Sequence, residues 1–101
     1  MRRTALVLSL IALAACGPRV TGEVGKACVT SDRSAANPRL CNCVQQAANR
    51  TLNGADQVRA AAFFANPQLA QDTRQSDNSS SEAFWDRYTA FADYARRLCR
   101  T

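Results

Sequence analysis

The sequence predicts a small all-helical domain, and three observations carry that reading. Apolar residues recur at steps of three, four and seven through most of the second half of the chain. The turn-forming groups Pro38, Asn53-Gly54 and Asn66-Pro67 fall between these periodic runs. No stretch alternates with period two for long enough to make a strand. The expected architecture is a bundle of three to four helices, stapled by disulfides, behind an amino-terminal export segment and a short flexible tether.

The elements follow in order. Residues 1–15 open with Arg2 and Arg3, continue as an apolar run over 5–15 broken only by Ser9, and end on the small pair Ala14-Ala15. Those are the positive head, apolar middle and small-residue cleavage region of a secretory signal. The run is about half the length needed to cross a bilayer, so it does not read as a permanent anchor. Leu13-Ala14-Ala15-Cys16 resembles the lipobox of bacterial lipoproteins, which implies a lipid on the thiol of Cys16 and cleavage just before it. The small residues give a peptidase room, and a thiolate is the one good nucleophile nearby. Acyl chains added there give a stable anchor, since a single chain holds a protein only marginally. Gly17 follows in place of an aspartate. By resemblance to lipoproteins of bacteria with two membranes, that implies sorting to the outer membrane, facing the periplasm.

Residues 16–26 contain Gly17, Pro18, Gly22 and Gly25 and almost no bulky apolar side chain, so they are expected to be the lipidated cysteine and its tether. The helical domain is then expected over 27–101. Pro38 suits the first turn of a helix, and Leu40, Val44, Ala47, Ala48, Thr51 and Leu52 keep helical spacing until Asn53-Gly54. Val58, Ala61, Ala62 and Ala65, with Phe63 and Phe64, form a second helix. It ends at Asn66, because the residue before Pro67 is steered away from helical angles. A short helix through Leu69 and Ala70 to about Arg74 follows. In the last helix Ser79 and Glu82 stand at capping-box spacing, and Phe84, Trp85, Tyr88, Phe91, Ala92, Ala95, Leu98 and Cys99 make a stripe expected to face the core.

Charge and residue inventory narrow the chemistry. The chain has 13 basic and 8 acidic residues; without Arg2 and Arg3 the basic count falls to 11, so much of the basicity belongs to the signal. The cluster Arg96, Arg97 and Arg100 reads as cations on the last turns of a helix, where the dipole favours them, and not as a nucleic-acid patch. Histidine is absent, which removes the commonest general base and the commonest metal ligand. Asp86 and Asp93 fall on the outer side of the last helix and read as solvated charges. With no glycine-rich loop and no nucleophile elbow, no enzyme, cofactor or metal is expected.

With Cys16 set aside for the lipid, Cys28, Cys41, Cys43 and Cys99 form an even set in an oxidising compartment, where disulfides are expected. Cys41 with Cys43 is disfavoured, because residues two apart on a helix point in nearly opposite directions. Two pairings remain open: Cys28–Cys41 with Cys43–Cys99, or Cys28–Cys43 with Cys41–Cys99. A redox or metal role for the C-x-C pair alone is a weaker reading.

Ala27-Cys28, Ser31-Asp32-Arg33, Leu40-Cys41-Asn42-Cys43, Arg74-Gln75-Ser76-Asp77, Glu82-Ala83-Phe84-Trp85 and Leu98-Cys99-Arg100 together resemble a family of small exported alphaproteobacterial lipoproteins that goes under the label "arginine transporter". The resemblance spans essentially the whole mature domain. Without a membrane-spanning segment such a domain cannot itself move a solute across a bilayer.

The expected function is therefore that of a small envelope lipoprotein, a structural adaptor or binding module. Its membrane contact would run through the lipid on Cys16, and its partner would be an envelope protein or peptidoglycan, with no nucleic acid. The alternative is a periplasmic module that binds a small molecule, such as arginine, as an accessory to uptake. That would need converging carboxylates, and Asp72, Asp77 and Glu82 are the acids nearest to one another in sequence.

Overall fold

The computed structural model describes residues 20–31 and 36–100, so the signal, Cys16 and the first residues of the tether lie outside the described residues. Within them the chain is all helical: α1 (Glu23–Thr30), α2 (Pro38–Thr51), α3 (Gly54–Ala65), α4 (Gln68–Arg74) and α5 (Ser79–Leu98). This is one helix more than the upper expectation.

The extra helix is α1, and it corrects the expected boundary at residue 26. Glu23 to Lys26 are helical, and Val24 is fully buried, so the domain reaches back into the supposed tether. Its glycines are sites of close approach. Gly22 has φ 87°, a left-handed conformation that side chains rarely adopt, and a Cβ there would overlap the side chain of Gln45. A Cβ on Gly25 would come within 2.8 Å of Val20 Cγ1 and 3.1 Å of Gln45 Cβ. Gln45 also supplies what the helix start lacks. Gly22 has no capping side chain, and the Gly25 N–H donates to Gln45 Oε1 at 2.7 Å. A donor left over at a helix terminus is thus satisfied from the next helix.

The remaining boundaries follow local chemistry. Asn37 accepts from the Leu40 N–H, with Pro38 at the first helical position of α2. Asn53 accepts from the Asp56 N–H, so Asn53-Gly54 starts α3 as well as stopping α2, and only two residues separate them. Asn66 ends α3 in an extended conformation before Pro67. The cap of α5 differs from the expected Ser79–Glu82 box: Asn78 is the N-cap, and its Oδ1 accepts from the N–H groups of Ser80 and Ser81.

α1 packs on α2 and α3, α2 on α5, and α4 on α5 and α3. The core joins Val24, Ala47, Ala48, Leu52, Ala60, Phe63, Phe84, Phe91 and Ala95, with Trp85, Tyr88 and Tyr94 packed against it. The stripe on α5 faces inward as expected through Phe84 and Phe91. Leu98 at its end is 39% exposed, and Val58, placed on the inner face of α3 by the periodicity, is 56% exposed.

Candidate functional site

The described structure turns on α2, which carries two of the four paired cysteines, one from each bridge. The bridges are Cys28–Cys41, with Cα atoms 5.5 Å apart, and Cys43–Cys99, at 5.7 Å. Of the two pairings left open by the sequence, this is the first. Because Cys41 and Cys43 leave α2 in opposite directions, one bridge holds α1 and the other holds the end of α5. Cys16 lies outside the described residues.

The two bridges differ in surroundings. Cys28 and Cys41 are 5% and 0% exposed, whereas Cys43 and Cys99 are half-buried and line a cavity of about 450 Å³ at the start of α2 and the end of α5. Leu40 and Leu98 give that cavity apolar surface, and Arg39 and Arg100 stand at its wall. No acid lines it. Arg39 and Arg100 make no hydrogen bond or ion pair with a described residue, so among the described residues nothing offsets the positive charge of this wall.

A second polar group was not visible in the sequence. On α5, Arg87 Nε donates to Asp56 Oδ2 at 2.6 Å and Arg87 Nη2 donates to Asp56 Oδ1 at 3.1 Å, joining α3 to α5 across 31 residues. The fork geometry suits a planar guanidinium. Asp56 is buried, and its carboxyl is held below the ordinary 3.8 by the hydrogen bond from Arg87, against the opposing effect of burial and with help from the charges of Arg87 and Arg59. Arg87 is shifted upward by the same bond. Arg59 sits over the Phe84 ring, 4.4 Å from its centroid, and donates to Ser81 Oγ at 3.0 Å. These groups lock helices together. Periodicity could not pair them, because it gives each residue's face and not its partner.

The aromatic stripe is used in packing. Phe63 meets Phe84 edge-on at 5.8 Å and Tyr88 at 5.0 Å, and Trp85 stacks beside Tyr88 at 5.2 Å. Among the described residues every buried side-chain nitrogen and oxygen has a hydrogen-bond partner.

The acids proposed for a small-molecule pocket are all exposed: Asp72, which accepts from Gln68 of its own helix at 3.0 Å, Asp77 and Glu82. Asp86 is exposed too, and Asp93 is exposed and pairs with Arg96 at 3.1 Å. Among the described residues no three of Cys, Asp and Glu gather as a group able to hold a metal ion, and no helix is long and apolar enough to cross a membrane. No protein-family model, curated protein or solved structure matches the chain.

Proposed function

We propose that the chain is the precursor of a small envelope lipoprotein, anchored through Cys16, whose helical domain works as a non-catalytic adaptor on an anionic envelope partner. The observation that carries the adaptor reading is the distribution of charge. Arg39, Arg97 and Arg100 are exposed, unpaired among the described residues, and gathered where α2 begins and α5 ends, while Asp56 is spent on Arg87. The antiparallel pairing of α2 with α5, fixed by Cys43–Cys99 and by Arg50 Nη1 donating to Tyr94 Oη at 2.7 Å, brings those cations to one end of the domain. Such a field attracts anionic surfaces and fixes orientation more than it supplies affinity. The tether supports the same picture. With α1 starting at Glu23, about six residues separate it from Cys16, a reach of roughly 20 Å when extended. An anchor there keeps the domain close to its membrane.

Two experiments test this. Cys16→Ser should leave an unprocessed precursor and abolish labelling by fatty acid; unchanged processing and labelling would remove the anchor from the account. Crosslinking the native chain in its envelope should recover an envelope protein or peptidoglycan, and Arg39→Glu with Arg100→Glu should lose it. Recovery unaffected by the charge reversal would contradict the cationic docking end. An arginine-dependent rise in melting temperature would point instead to the small-molecule reading.

A further inference from the structure

We infer that Cys43–Cys99 is a thiol-exchange site selective for anionic low-molecular-weight thiols. The inference is independent of the anchor and adaptor reading. Exchange begins with a thiolate approaching one sulfur in line with the S–S bond, so access and local charge set which bridge reacts. The Cys28–Cys41 bridge is closed to that approach at 5% and 0% exposure. The Cys43–Cys99 bridge forms part of the wall of a cavity of about 450 Å³, large enough for a small thiol.

Charge then selects the thiol. Arg39 and Arg100 line the same cavity, no carboxylate among the described residues does, and neither guanidinium is occupied by a described group. Both the incoming thiolate and the sulfur that leaves are anionic, so two free cations favour the attack and the departure together. A second negative charge on the thiol strengthens the encounter, and a positive charge weakens it.

The helix ends fix the direction. Cys99 is the C-cap of α5, at the negative end of a 20-residue helix, where a thiolate is disfavoured; Cys43 belongs to the second turn of α2, toward the positive end of that helix. The incoming thiolate therefore attacks Cys99 Sγ, the Cys43–Cys99 bond breaks, and Cys43 leaves as the thiolate. The product is a mixed disulfide on Cys99. A second thiolate attacks the small-molecule sulfur of that mixed disulfide and releases the oxidised small disulfide and the Cys99 thiolate. Two electrons pass from two thiolates to the bridge, and both cysteine thiolates can then take protons from water.

The test uses the full oxidised chain, purified in mild detergent, and three probes: anionic 2-mercaptoethanesulfonate, neutral 2-mercaptoethanol and cationic cysteamine. Rates are compared per thiolate, with opened cysteines trapped by alkylation and located by mass spectrometry. Cys43 and Cys99 should open first. The anionic probe should outrun the cationic one by roughly five- to tenfold at low salt, and the gap should close at high salt, with the first adduct on Cys99. Arg39→Gln with Arg100→Gln should also close the gap; the salt series on the unaltered chain gives the same readout if that variant folds poorly. Earlier or equal opening of Cys28–Cys41 would overturn the site, and equal rates for the three probes would overturn its selectivity.

Discussion

The two disulfides close the domain at two junctions built on different principles. At the junction of α1 with α2, Cys28–Cys41 is sealed among close-packed atoms, with Gly25 against Gln45 and Val20, and the Gly25 N–H bound by Gln45 Oε1. At the junction of α2 with α5, Cys43–Cys99 stands at a cavity beside unpaired arginines and the exposed Leu98. Loop entropy orders them one way. The 56-residue span of Cys43–Cys99 is worth about 4 kcal/mol and the 13-residue span of Cys28–Cys41 about 3 kcal/mol. Access orders them the other way for chemistry: the bridge with the larger entropic contribution is also the one open to attack. The sealed junction surrounds its sulfur atoms with packed side chains, while the open one keeps its packing on the core side, through Phe91 and Ala95, and leaves its sulfur atoms at a cavity wall.

The largest effect should come from opening the exposed junction. Replacing Cys43 and Cys99 together by Ser should lower unfolding free energy by about 4 kcal/mol in a denaturant titration, and hydrogen exchange should rise first in the last turns of α5. A uniform rise over all helices would break the comparison. The matching pair, Cys28→Ser with Cys41→Ser, should cost about 3 kcal/mol, and most of the protection of α1 should survive, because Gln45 and the buried Val24 still hold it.

Glycine substitutions probe the sealed junction without touching sulfur. Gly25→Ala should destabilise by about 1–2 kcal/mol despite the better helix propensity of alanine, since Gln45 Cβ and Val20 must yield. Gly54→Ala, where a Cβ meets nothing within 4 Å, should be neutral or stabilise by up to about 1 kcal/mol. A similar result at both positions, read by thermal melting, would remove the close approach of α1 from the account.

The smallest effect concerns the tie between α3 and α5 that neither disulfide makes. Asp56 has a folded-state pKa below its ordinary 3.8, so its contribution is fully present above that value and is lost as pH falls through the lowered one. Asp56→Asn should therefore be less stable than the unaltered chain near neutral pH. The difference should shrink only below about pH 4. A gap that is constant down to pH 2 would mean that the carboxylate's charge is not what Arg87 recognises.

How much of this the sequence disclosed depends on whether the information was local. The bodies of α2, α3 and α5 were legible because each carries its own periodicity, and Asn53 and Asn66 mark boundaries within a few residues of themselves. The cysteine set was legible down to two pairings, since the divergence of Cys41 and Cys43 is a property of one helix, but which of them meets Cys28 depends on how α1 lies on α2. α1 was missed for the same reason. Gly22 and Gly25 look like tether residues until Gln45, 20 residues from Gly25, is seen to fill the space beside them. Asp56 with Arg87 is a similar case at 31 residues. The cap at Asn78 is as local a signal as its neighbour Ser79, since asparagine is as good an N-cap as serine, and the spacing of Ser79 to Glu82 does not distinguish them. The cationic cavity was unreadable, because Arg39 and Arg100 are brought together by the antiparallel packing of α2 on α5 that Cys43–Cys99 closes.

The contrast between the two junctions stands or falls on connectivity, and stepwise reduction and alkylation of the oxidised chain at acid pH, which suppresses reshuffling, measures it directly. The account predicts an intermediate with one bridge opened whose alkylated residues are Cys43 and Cys99, with Cys28 and Cys41 still joined. An intermediate carrying label on Cys28 with Cys43, or on Cys41 with Cys99, would contradict it.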